Sequence, residues 1–493
     1  MPDKRLPDNH LPDTVCPTII CPTVIGQDKI NVNGYLLVKD KSRNNTFYWC
    51  CEKRKTMRCN GRATTRLVDG EHHLRSTSDH NHAAEASRIN VIRSVNTVKE
   101  RARETSERPA QIIQTVAANS SREIHPYLPS RDALSQTVKR IRRSELPTEP
   151  ESLDDLVIPE NLTTTFDGSA FLIRDSDLGQ NRILIFTTTS NIRYLEQSPF
   201  WIMDGTFKTV PTIFKQIYTI HGSVGGNDNS RIMPLVYALM SSKSEQCYRR
   251  LFQDIINFSE EENIDLQPQF ILTDFEQAAI NAAREEFPGV RNKGCHFHLA
   301  QNVYRRVQMS GLSTQYGNNE NFSLLIRHIP ALAFLPPDEI PAAFDELRGH
   351  IPLEANEIIQ WFEDNYVYGR IRRQLRNGNI VRSPPLFVPD FWSVADNINN
   401  AFPRTQNSVE AWHRRWETLI GGAHVGVFKI IQEIRKEQNR VELDIESIVR
   451  GAPRPVQSRR NYMHETRIQT VFNDRNNRSR MEFLRGIAHN MLL

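Results

Sequence analysis

The chain has 493 residues, enough for several domains and a large buried core, and its 39% hydrophobic and 24% charged content is ordinary for a globular protein. The net charge of +4 hides an asymmetry: residues 1–149 carry 25 Lys+Arg against 17 Asp+Glu, and the remainder 37 against 41. A basic N-terminal part favours an anionic partner, the absence of a long apolar run argues against a membrane span, and no leader-type apolar segment opens the chain, so the seven cysteines read as metal ligands or core residues rather than disulfides.

Residues 1–28 are polar and Pro-rich and read as disordered. Residues 29–84 are β-rich, with strands expected at Tyr35–Val38, Thr46–Trp49 and Arg62–Val68 joined by polar turns. Residues 29–75 carry 11 Lys+Arg and 4 Asp+Glu. Cys51, Cys59, His80 and His82 stand in the order Cys-x7-Cys, 20 residues, His-x-His. Two thiolates and two imidazoles fill a tetrahedral structural zinc site, and so small a segment would draw much of its folding free energy from the metal. Lys53, Arg54, Lys55 and Arg58 lie between the two cysteines as candidate phosphate contacts, although a solvated hairpin tip has the same composition.

The stretch GYLLVKDKSRNNTFYWCCEKRKTMRCNGRATT followed by HNH resembles a FLYWCH zinc finger. Tyr48 and Trp49 match its aromatic pair, Trp49-Cys50-Cys51 fits its Trp-x-Cys with Cys51 as the ligand, and Tyr35 stands where that family often has Phe. The resemblance implies a module that binds DNA or protein.

Residues 88–145 change to a basic helical pattern, with helices expected at Val91–Arg103, Gln111–Ala118 and Ser130–Arg143, and 146–159 reads as a linker. From about 160 to 445 the pattern is α/β. Strands are expected at Ile183–Thr188, Phe200–Lys208, Gln216–Val224, Met233–Met240, Phe270–Thr273 and Val290–Gly294, with helices at Ser244–Phe258, Glu276–Phe287 and His298–Val307. Residues 299–400 form a mainly helical insertion with a Pro- and Gly-containing loop at Asn377–Phe391; helices return at 408–419 and 426–445. Residues 446–493 read as a basic tail, weakly helical near 480–492.

Metal-dependent phosphodiester chemistry needs carboxylates that hold divalent ions, and Mg²⁺ or Mn²⁺ suits such oxygen ligands. Three carboxylates stand at the ends of core elements. Asp204 lies in FWIMDGTFKTV, where Asp-Gly is also a turn signal. Asp274 follows the apolar run Phe270–Thr273 and doubles as a helix cap. Glu410 lies on the helix of TQNSVEAWHRRW, where Asn407 and Glu410 have capping-box spacing. Each has a structural alternative, but their order along the chain is that of an RNase H-like nuclease core, and strand ends are where open α/β sheets place their sites.

FWIMDGTFKTVP, QPQFILTDFEQAAINAAREEFPG and CHFHLAQNVYRRV resemble the MULE transposase domain of Mutator-like elements. The resemblance implies an Asp, Asp, Glu catalytic triad at Asp204, Asp274 and Glu410, the last across 135 intervening residues; if Glu410 alone is misplaced, another acidic residue of the same late region, such as Glu417, becomes the candidate. Cys295 and His298 form a CxxH that reads either as a buried Cys beside a capping His or as a pair adjacent to the active site; Lys208 reads as a phosphate contact or a solvated strand-end residue. The expectation is therefore multidomain: a small β-rich zinc finger plus an α/β RNase H-like core with an α-helical insertion. The expected cofactors are structural Zn²⁺ and catalytic Mg²⁺ or Mn²⁺, the partner double-stranded DNA, and the location the nucleus, with homo-oligomerisation left open. The alternative is a host-adopted, catalytically inactive DNA-binding regulator, a reading consistent with the lack of a Cys/His cluster after 445.

Overall fold

In a computed structural model of the chain, residues 20–21, 29–85, 87–105, 107–144, 146–226, 229–376, 378–455 and 458–491 are described. Most of the stretch 1–28, read as disordered, lies outside them. The chain divides into two compact units, Met1–Thr148 and Glu149–Leu493.

In the first unit β1 (Ile20–Cys21), β2 (Lys29–Val32), β3 (Tyr35–Arg43), β4 (Thr46–Cys51), β5 (Arg62–Val68) and β6 (Glu71–Thr77) form an antiparallel meander in chain order. Three two-residue turns set its register: Asn33-Gly34, Asn44-Asn45 and Asp69-Gly70, all with positive φ at both positions. Such turns match the twist of the strands they join. Ile30, Val32, Leu37, Trp49 and Ala63 make the core, and Trp49 Nε1 donates to Thr65 Oγ1 at 2.7 Å so that no indole donor is lost. The sequence reading missed β2 and β6. Three helices follow, α1 (Arg88–Glu104), α2 (Pro109–Ala118) and α3 (Arg131–Ser144), packed through Val98, Ala102, Ile112, Val116 and Val138.

The second unit is built on a sheet of β7 (Leu172–Asp177), β8 (Arg182–Phe186), β9 (Phe200–Thr206), β10 (Gln216–Val224), β11 (Arg231–Met240), β12 (Phe270–Thr273) and β13 (Arg291–Gly294), in the order β13-β12-β9-β10-β11-β8-β7. β12 runs parallel to both β9 and β13, whereas β9-β10-β11-β8-β7 is antiparallel throughout. On one face α4 (Thr189–Gln197), α5 (Glu245–Glu261) and α6 (Gln277–Glu286) pack against Ile185, Trp201, Met203 and Ile220. The alternation of β9 sends Ile202 and Asp204 to the opposite face, where Ile202 meets Leu272, Cys295 and Val409. Neither β7 nor α4 was anticipated.

The region after β13 is helical: α7 (His296–Met309), α8 (Ser313–Asn318), α9 (Glu320–Ala331), α10 (Ile340–Arg348) and α11 (Asn356–Phe362), then a hairpin of β14 (Ile371–Gln374) and β15 (Ile380–Arg382), α12 (Pro389–Trp392) and α13 (Ala395–Asn399). The stretch expected as a loop at 377–391 thus holds β15 and α12. α14 (Asn407–Ile420) and α15 (Val427–Val449) return to the sheet, with Val441, Ile445 and Ile448 in its core. The expected basic tail holds two helices, α16 (Arg459–Asn473), which was not anticipated, and α17 (Arg480–His489), where weak helicity was expected near 480–492. Ile468, Val471, Phe483, Leu484 and Ile487 join a second core with residues of α7, α9, α10 and α11; their apolar stripe is diluted by charges on the outer faces, which is why composition alone read as a tail. No helix among the described residues is long and apolar enough to cross a membrane.

Candidate metal and nucleic-acid site

Cys51 ends β4, Cys59 lies in the loop before β5, and His80 and His82 follow β6, so neighbouring ends of the meander carry all four ligand candidates. Their ligand atoms lie within 4.8 Å of one another. Cys51 Sγ is 3.2 Å from His82 Nε2 and Cys59 Sγ 3.4 Å from His80 Nδ1, close to the edges of about 3.3–3.8 Å of a tetrahedron around zinc. Cys50 is buried on its own and takes no part.

The surroundings fit zinc. The backbone N–H of Lys53 points at Cys51 Sγ and that of Gly61 at Cys59 Sγ, each at 3.4 Å, which favours thiolates. Burial opposes ionisation of Cys59, but N–H groups of Asn81 and Gly61 overcome it and hold the thiol below its ordinary value. His82 Nδ1 lies 2.9 Å from Ala83 O, which leaves Nε2 for the metal. Tyr35 stacks on His80 with centroids 3.8 Å apart, so its aromatic character serves the site directly. Gly61 is required because a Cβ there would collide with the His80 ring. Of the four basic residues between the cysteines, Lys53 pairs with Glu85 and Arg54 reaches Asp40 at 4.0 Å, while Lys55 and Arg58 are exposed.

In the second unit Asp204 sits inside β9 opposite Thr219 of β10. Its Asp-Gly pair does not turn. The strand continues through Gly205, which pairs with Tyr218 of β10, and a Cβ at that position would stand 2.5 Å from Gln216 Oε1. Asp204 is buried, and its carboxyl is pushed up to about 8, by burial first and then by the charge of Asp274, with Glu410 adding to it. Asp274 follows β12 and accepts the N–H of Glu276 at 3.1 Å; burial and then Glu276 raise its proton affinity. Glu410 lies in the first turn of α14; burial raises it too, and its Oε1 is buried with no hydrogen-bond partner. Asp204 thus feels the charge of both Asp274 and Glu410, and among the described residues no hydrogen bond joins the three carboxyls. Glu417 is drawn instead to Lys208, at 3.4 Å.

Several groups escaped the sequence reading. Gln406, fully buried before α14, donates from Nε2 to Met203 O at 2.8 Å and to Leu272 O at 3.4 Å. These are the carbonyls just before Asp204 and two residues before Asp274, so one amide ties both strands to the helix that carries Glu410. Cys295 Sγ accepts the Gln406 N–H at 3.3 Å and is fully buried, its thiol pushed up to about 12 by burial. The Cys of the CxxH thus fastens β13 to α14. His413, one turn beyond Glu410, places Nδ1 3.7 Å from Asp204 Oδ2. Burial holds its pKa down to about 4, with His298 contributing, and holds His298 itself to about 4. Burial thus works against charge on both members of the His413–Asp204 pair. Neither Gln406 nor His413 belongs to a spacing pattern, so nothing in the sequence marked them.

Residues 21–82 match the FLYWCH zinc finger domain, and residues 200–302 match the MULE transposase domain. The chain thus carries a FLYWCH zinc finger followed by a MULE transposase domain, and the finger match together with the Cys₂His₂ quartet supports a structural zinc. The MULE match spans Asp204, Asp274, Cys295 and His298; Glu410 lies beyond it. No curated protein matches the chain.

Proposed function

We propose that this is a transposable-element-derived DNA-binding protein whose second unit is a DDE-type, RNase H-like nuclease that cleaves and transfers DNA strands. The observation that carries the reading is Asp204, whose proton affinity is raised first by burial, then by the charge of Asp274, with Glu410 adding to it. Buried carboxyls that resist ionisation and an orphaned Glu410 oxygen fit a site completed by cations. The strand order β11-β10-β9-β12-β13, antiparallel for three strands and parallel for two, supports the RNase H-like assignment. Mg²⁺ or Mn²⁺ bound there would activate the attacking oxygen and stabilise the leaving one. The chain's own part is to hold Asp204 within β9, Asp274 just after β12 and Glu410 in the first turn of α14, with Gln406 fixing their spacing. The zinc finger brings the nuclease to double-stranded DNA in the nucleus, with Lys55 and Arg58 free to meet phosphates.

The test is Mg²⁺-dependent cleavage of duplex DNA carrying element-end sequence, by the full chain and by Asp274→Asn. We expect wild-type nicking, loss of at least ~10³-fold in the variant, and DNA binding retained by both. Cleavage that survives the substitution sinks the catalytic assignment. DNA binding without any wild-type cleavage supports the host-adopted, inactive regulator.

A further inference from the structure

Residues 369–388, GRIRRQLRNGNIVRSPPLFV, contain five Arg and no Lys, Asp or Glu. They supply the β14–β15 hairpin, a two-stranded sheet that pairs with nothing else among the described residues. Its base is fixed. Glu363 is buried between Arg348 and Arg382, each at 2.6 Å. Arg382 also donates to Gly369 O at 2.8 Å and lies over the Tyr368 ring. Gly369 has φ +85°, and a Cβ there would collide with Ser383 O.

Beyond that base the hairpin buries almost nothing. The β14 residues are all exposed, and the apolar Ile371, Ile380 and Leu375 are 53%, 49% and 38% exposed. The side chains of Arg372, Arg373 and Arg376 make no hydrogen bond or ion pair among the described residues. An isolated two-stranded hairpin is only marginally stable in water, so a firmly anchored hairpin with unpaired arginines is built to meet something else. With Arg382 paired to Glu363, four positive charges remain, Arg370, Arg372, Arg373 and Arg376, with no negative one in the segment, and they select a polyanion.

The hairpin also adjoins the carboxylate site. Tyr366, just before it, and Phe387 and Phe391, just after it, surround Phe275 with centroids 5.8, 4.9 and 5.5 Å away. Phe275 is the residue next to Asp274. We propose that the β14–β15 hairpin is a DNA-backbone clamp, in which Arg372, Arg373 and Arg376 grip phosphates flanking the one presented to the carboxylates. That the polyanion is duplex DNA rests on the function proposed above; the basic, anchored hairpin does not.

The experiment compares the full zinc-loaded chain with an Arg372→Ala, Arg373→Ala, Arg376→Ala triple variant and with its triple Lys counterpart. Binding to a fluorescent 30-base-pair duplex is followed across KCl concentrations with Ca²⁺ replacing Mg²⁺. Three lost phosphate contacts lower the log–log salt slope by about 3, at ~0.9 per contact, and weaken binding at least ~10-fold near 150 mM salt, while the Lys variant keeps most of the slope. The Ala variant should melt with the wild type, since its side chains are exposed. A photo-crosslinker replacing Ile380 should join DNA. An unchanged slope, or a crosslink to a second copy of the chain instead of DNA, overturns the clamp. A parallel Mg²⁺ cleavage assay of the wild type and Asp274→Asn separates the two proposals: a hairpin-dependent slope without any wild-type cleavage defeats the nuclease alone, and cleavage with a hairpin-independent slope defeats the clamp alone.

Discussion

Asp204 and Cys59 are single residues whose chemistry exceeds their local role. The Asp204 carboxyl is raised from an ordinary 3.8 to about 8 in the folded chain. Between these values the unfolded state has given up its proton while the folded state keeps it, so this residue makes stability fall as pH rises from 4 to 8 and level off above. We predict that without added Mg²⁺ the Asp204→Asn variant gains on the wild type across that window, by on the order of a few kcal/mol at pH 8. Parallel thermal melts from pH 4 to 9 measure it, and a difference that does not grow with pH refutes the electrostatic account. For Cys59, replacement by Ser removes a ligand of a site that holds together a meander with a five-residue core. The expected result is loss of the bound zinc and of the cooperative unfolding of the first unit, read by metal analysis and by amide exchange of β3–β5. A variant that stays folded and metal-free shows that packing alone suffices.

At the level of elements, α14 is the piece on which the second site depends. It is fixed at its start by Gln406 and along its length by Glu437 of α15. Glu437 accepts from Trp412 Nε1 at 2.8 Å and from both terminal nitrogens of Arg415, and it is buried. Glu437→Ala leaves a half-buried guanidinium and a buried indole N–H unpaired, and should cost about 3–5 kcal/mol in denaturant unfolding. Gln406→Leu keeps the bulk of the side chain but frees the carbonyls of Met203 and Leu272. It should cost about 1–3 kcal/mol and lower Mg²⁺-dependent cleavage more than DNA binding. Equal loss of both would mean the helix is merely misfolded. The helix itself was legible from the apolar spacing of Val409, Trp412, Trp416 and Ile420, all of them buried. Its partner Glu437 was not, because a buried acid looks like any other charge on a helix until the facing Arg415 is known.

Among the described residues of the second unit, one large core lies under the sheet and another among the helices, and the C-terminal residues belong to the latter. Phe483, Leu484 and Ile487 are buried in it, each contributing about 1.5–3 kcal/mol. Removal of residues 458–493 should therefore unfold the helical region, seen as insoluble expression or a lost melting transition, whereas a soluble truncated chain with unchanged melting would restore the view of this segment as a tail.

Spacing alone determined the zinc quartet, the apolar strands that carry Asp204 and Asp274, and the helix of Glu410, because ligand sets and side-chain periodicities are local properties of the chain. The tertiary structure decided what those residues meet. It kept Asp-Gly in a strand by pairing β9 with β10, fastened β13 to α14 through the Cys295 thiol, set His413 beside Asp204, and folded a polar-looking tail into a core. These outcomes depend on partners up to about 200 residues away in the chain, and burial, which shifts the carboxyls and histidines, exists only once those partners have closed around them.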